Sequence, residues 1–108
     1  MTVRVYVPTT LDGLAQLADD GELPASPDAV VAPDDDEETE YDAMMTAADF
    51  LAGSGRRVVV VAEVDDADGP VRLDQVVAVH ADSEVGAGPD DDLAWYAVTE
   101  IPVVLGRV

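Results

Sequence analysis

Residues 58–61 are four valines in a row, set in "RRVVVVAEV" (56–64). Branching at Cβ stiffens a side chain and favours the pleated backbone. A half-buried strand alternates apolar and polar residues, whereas an unbroken apolar run implies cover on both faces. The segment therefore predicts a central strand. The cover has to come from a chain of 108 residues, enough for one core and too short for two. Residues 1–108 are read as a single domain.

The core has to be assembled from small parts. The chain has 19 Val and 16 Ala against 8 Leu and a single Phe, so each buried side chain removes little area from water. The strand "VRVYVP" (3–8) puts Val3, Val5 and Val7 on one face and ends at Pro8. Thr9 or Thr10 can cap the following helix, whose stripe is Leu11, Leu14, Ala15 and Ala18, and Gly21 stops it. A loop with a short strand at 29–32 comes next. In the second helix Tyr41, Met44, Met45, Ala48, Leu51 and Ala52 recur at helical spacing, with a smaller stripe of Ala43, Ala47 and Phe50. This helix is expected to be the most buried, and to end at "GSG" (53–55). After the polar turn 65–70, extended structure resumes over 71–82, firmest at 76–81, antiparallel to 56–64. A third helix is expected over 90–101, with Asp90–Asp92 in its first turn and Leu93, Tyr96 and Ala97 inward. Pro102 then ends or kinks it, and 103–108 form a short strand or packed tail. The order is β-α-(β)-α-β-β-α: an α+β fold, with one mixed sheet of about four strands and three helices mainly on one face.

The net charge is −19, and all five basic residues are arginine. Such a chain repels nucleic acids and anionic membranes. Neither is an expected partner; a second copy or a basic protein is. There is no cysteine, no run of roughly 18–20 apolar residues for a membrane span, and no apolar leader in "MTVRVYVP". The expected location is the cytoplasm. Absence of Lys and Asn beside abundant Ala, Val, Gly and Asp has the look of GC-rich codon usage. The acidity itself has three readings: salt adaptation, a docking surface, or codon bias.

"PDDDEETEYD" (33–42) carries seven carboxylates. As a calcium loop begun at Asp34 it would need Gly at position six and Glu at position twelve. Thr39 and Met45 stand there. The stretch reads instead as a helix start, where carboxylates meet free N–H groups and the positive end of the macrodipole. No metal or cofactor is expected. His80 and Asp82, two apart on a strand, share a face, which is half of a catalytic arrangement. No Ser, Thr or Tyr completes it in a recognisable motif. Arg56 and Arg57 form the only basic pair; they follow a helix C-terminus, where cations are favoured anyway, and holding an anionic group is their alternative role. Trp95 falls off the stripe of its expected helix, and with Tyr96 it is the candidate binding surface, at a homodimer or partner interface. The leading reading is a binding or interaction module without catalysis. The alternative is a small enzyme or ligand-binding protein using His80 and Asp82, with Arg56 or Arg57 holding an anion.

"RVYVPTTLDGLAQL", "RRVVVVAEV", "VVAVHADS" and "DLAWYAVTEI" resemble a family of short uncharacterised proteins of high-GC actinobacteria, with no assigned activity. The resemblance implies a single cytoplasmic domain. It implies no catalytic residues.

With a charge of −19, self-repulsion opposes the compact state, and salt screens it over a Debye length of about 8–10 Å. Thermal melts over a sodium chloride series should therefore show a rising Tm from low to moderate ionic strength. A flat or falling Tm would mean that arginines and helix ends already compensate the acids locally.

Overall fold

The computed structural model describes residues 2–32, 34, 36–51, 56–82 and 93–107. The chain runs β1 (Val3–Thr9), α1 (Leu11–Asp20), β2 (Glu22–Leu23), β3 (Val30–Val31), α2 (Glu37–Asp49), β4 (Val58–Val64) and β5 (Val71–Arg72). A 3₁₀ turn at Leu73–Gln75 leads to β6 (Val76–Ala81), then β7 (Ala94–Tyr96), a second 3₁₀ turn at Val98–Glu100 and α3 (Ile101–Val104).

The valine run is the middle strand. Its sheet has five strands, not about four, in the order β3-β1-β4-β6-β7, and the pairings are antiparallel. A two-stranded ribbon of β2 and β5 stands apart. β4 pairs along its whole length with β1, from Val3 opposite Val64 to Thr9 opposite Val58. Val58, Val60, Ala62 and Val64 point to one side, where Leu14 and Leu17 of α1 and Ile101 and Val104 of α3 cover them. Val59 and Val61 point to the other side, onto Ala43, Met44, Ala47 and Ala48 of α2. The helices therefore lie on both faces, not mainly on one. Both faces of β4 are apolar, and a helix layer on one side would leave the other in water.

Local chemistry sets the helix ends. The Thr10 hydroxyl accepts from the Gly13 N–H at 3.1 Å, and Gly21, at φ 80°, closes α1 by donating its N–H to the Leu17 carbonyl. Only a residue without Cβ adopts that conformation freely. At α2 the acidic stretch is a helix start: the Asp36 carboxylate accepts from the Glu38 N–H at 2.9 Å, with Glu37, Glu38 and Glu40 in the first turn. Its buried face straddles the two expected stripes. Ala43, Met44, Ala47, Ala48 and Leu51 are inside, but Tyr41 and Phe50 are 47% and 57% exposed. Phe50 already caps the helix; Ala52 and the glycines at 53–55 lie outside the described residues.

The third helix is the largest correction. Ala94–Tyr96, expected inside a helix over 90–101, is an edge strand on β6, and the helix is a single turn at Ile101–Val104. Pro102 sits in its first turn, where a missing N–H is harmless, so Pro102 opens this helix instead of ending it. Asp90–Asp92 lie outside the described residues. β6 also carries an irregularity: Val61 faces Ala78 while Ala62 faces Val76, which leaves Val77 without a partner on β4. A bulge of this kind inserts one residue and bends its strand.

Val60 is fully buried and Val77 is 38% exposed. Val60→Ala should cost about 1–3 kcal/mol of unfolding free energy in denaturant melts, from lost transfer energy and the void left behind. Val77→Ala should stay within about 0.5 kcal/mol. Equal losses would contradict the placement of β4.

Candidate binding cleft

Strand pairing assembles a cleft on the α2 side of the sheet. Tyr6 of β1 lies opposite Val61 of β4, and Val61 opposite Ala78 of β6, which forms a floor across three strands. One step along, His80 of β6 lies opposite Trp95 of β7. Glu37, Glu40, Tyr41 and Met44, on one side of α2, form the facing wall. The space between is an open groove of about 390 Å³, within the range of small-ligand sites. It exists because β7 extends the sheet past the edge of α2.

Its charges are arranged asymmetrically. Arg4 sits at one end, paired with Glu40 and, at 3.6 Å, with Glu63. Burial lowers the Arg4 pKa, but the charge and hydrogen bond of Glu40, with the charge of Glu63, outweigh it and raise it above its ordinary value. Burial and the negative field of Glu40 push the Tyr6 phenol up, against a smaller opposing pull from Arg4. Burial pushes the His80 imidazole below its ordinary 6.5, so the ring is neutral at pH 7. The cleft thus offers aromatic side chains, an apolar floor, a neutral imidazole and the carboxylate of Glu37, with Glu40 engaged by Arg4. Among the described residues there is no cluster of three or more His, Asp or Glu able to hold a metal ion.

The sequence candidates are divided between two places. His80 and Trp95 line the cleft. Tyr96, next to Trp95 on the strand, points to the opposite face and packs against the α1-side core. Asp82 does not join His80. Its carboxylate accepts from the Arg57 Nε and backbone N–H at 2.9 Å each, and from Nη2 at 2.8 Å. Both residues are buried, Arg57 at 4% exposure and Asp82 at 1%. Burial alone would raise the Asp82 pKa; the Arg57 hydrogen bonds and charge, with the charge of Arg56, hold it below its ordinary 3.8. Arg56 donates to the backbone carbonyls of Asp82 and of Val104, the latter at 3.0 Å. That contact ties the last turn of α3 to the end of β6. Sequence reasoning did not select Arg4, Tyr6, Glu37, Glu40, Tyr41 or Met44 as a site. The alternation of β1 was the available signal: Arg4 and Tyr6 share the face opposite Val3, Val5 and Val7.

A buried ion pair broken on one side leaves an uncompensated charge, at a cost of about 3–5 kcal/mol. Asp82→Ala should lose about that much in denaturant melts, and the Arg57→Met/Asp82→Ala double variant should lose less. Because the folded pKa of Asp82 is depressed, the pair's contribution is complete above the unfolded value and vanishes only as pH falls through the lower folded one. The difference between wild type and Asp82→Ala should therefore be flat from pH 7 to about 5 and shrink only in stronger acid. A difference already shrinking above pH 5 would contradict the buried pairing.

Among known protein families, the model of a family of unknown function (DUF6912) matches residues 3–105. No curated protein and no solved structure matches the chain.

Proposed function

The chain belongs to that family of unknown function, so its role has to be read from its own surface, and we propose that it is a binding module without catalytic activity. On this reading the cleft under α2 receives part of a partner. One observation carries it: Trp95, the only tryptophan, is 61% exposed at the cleft while the residue across from it is His80. Leaving so large an apolar side chain in water is unfavourable, and tryptophan is the residue type most enriched at interface hot spots. A basic protein fits the cleft better than a second copy does. Two copies docked through it would bring Glu37 and Glu40 of each chain together, and like charges at an interface are costly. The setting that goes with this reading is the cytoplasm of a high-GC actinobacterium.

A small enzyme or ligand-binding protein is the second reading, favoured by His80 lining the cleft. With Asp82 engaged by Arg57, the imidazole would work without that carboxylate to orient it. Arg56 and Arg57, bonded to Val104 and Asp82, lie away from the cleft. Those positions favour binding over catalysis.

Trp95→Ala separates the cases. Its unfolding free energy should stay within about 0.5 kcal/mol of wild type, as for an exposed residue. Used as bait in the native host, wild type should hold a partner that Trp95→Ala loses and that Val103→Ala, changed at an exposed valine elsewhere on the surface, retains. Sedimentation should show the wild type as a monomer. A concentration-dependent dimer that Trp95→Ala dissociates would make the second copy the partner. A core-like loss of about 3–5 kcal/mol would place Trp95 inside and end the proposal.

A further inference from the structure

Resting on the reading of the cleft as a partner site, we propose that its occupant is an arginine side chain carried on a basic peptide segment. The lining supplies what a guanidinium needs. Trp95, 61% exposed, lines the cleft together with Tyr41. A planar, weakly hydrated guanidinium stacks on an aromatic ring more readily than an ammonium does. Val61 and Ala78 of the floor and Met44 of the α2 wall form an apolar surface against which the three methylenes of the stem can lie. Glu37 lies on the same wall, and among the described residues no cation pairs with it.

The positive charge in the cleft is offset by resident carboxylates. Arg4 is neutralised by two carboxylates, Glu40 and Glu63. The His80 ring is held neutral by burial. A peptide is a better occupant than a free small guanidine for two reasons. The groove is open, so it admits a chain passing across it. The net charge of −19 far exceeds what one cation needs, whereas a segment with several basic residues is steered by the whole field.

The single tryptophan makes Trp95 fluorescence a direct reporter of the cleft. Wild type would be titrated at about 150 mM salt, near the physiological value, with a capped Gly/Ser peptide carrying several arginines. Counterparts carrying lysine or leucine at the same positions complete the series. The arginine peptide should give a saturable change, the lysine peptide a weaker one, and the leucine peptide none. By calorimetry, Trp95→Ala should weaken the arginine peptide roughly 5- to 30-fold, the range for a partly desolvated cation–π contact. Glu37→Gln should weaken it about two- to fivefold, as for an exposed ion pair. Asp12→Asn, the same charge change on the exposed face of α1, should leave it unchanged. The inference is overturned by a leucine peptide that binds as tightly, by equal effects of Glu37→Gln and Asp12→Asn, or by no saturable change at all. Loss of a native partner on Trp95→Ala would still support the cleft as a binding surface in each of those cases.

Discussion

Desolvating β4 on two faces at once is the constraint from which the remaining geometry follows. Val58, Val59, Val60, Val61 and Val64 are all buried in a strand of seven residues. At roughly 1.5–3 kcal/mol per buried aliphatic side chain, an upper estimate, the strand alone contributes an amount comparable to the net stability of a whole domain. To realise it, the sheet must place β1 and β6 on either side of β4, and helices must cover both faces. α1 and α3 meet one demand and α2 the other. Small side chains suit this arrangement because helix and sheet can approach closely over Ala43, Ala47, Ala48 and Ala78.

Against that apolar frame, five arginines are distributed among 24 acids. One is buried. Arg57 enters the sheet immediately before β4 and meets Asp82 immediately after β6, so the pair fastens the two central strands at the same end. Its neighbour Arg56 reaches the carbonyl at the end of α3, where the negative pole of a helix favours a cation. Arg107 holds Asp19 of α1 at 2.6 Å on the surface, and Arg72 pairs locally with Asp74 at 3.2 Å. Arg4 is the cation that belongs to the cleft. Exposed pairs of this kind contribute little each, so the arginines fix positions more than they stabilise the fold.

The cleft is a by-product of unequal widths. The sheet continues through β7 beyond the part that α2 covers, and the uncovered margin carries His80, Trp95 and Val77. β7 is itself an edge strand, a position proteins normally keep short or shielded. Here it is three residues long and bears the most exposed large apolar side chain among those described. That combination is what makes the margin a binding surface in our reading.

The sequence by itself determined the central strand, the two longer helices, the Thr10 and Gly21 caps of the first, and the helix-starting role of the acids at 34–42. Each of these rests on a local signal: an unbroken β-branched run, a hydroxyl or carboxylate before a periodic stretch, a glycine at positive φ. Ala94–Tyr96 could not be read this way. Leu93, Tyr96 and Ala97 fit a helical stripe and the acids before them fit a helix start; only pairing with β6, across more than a dozen residues of chain, makes the segment a strand. The orientation of α2 was also undetermined, because two overlapping stripes offered two faces, and the space left by the sheet selected the alanines over Tyr41 and Phe50. The site shows the same division. His80 and Trp95 stand out as single residues in the sequence, but the partner of Asp82 and the meeting of β1, β6, β7 and α2 around one groove depend on contacts between distant segments. Those were decided only when the chain closed around β4.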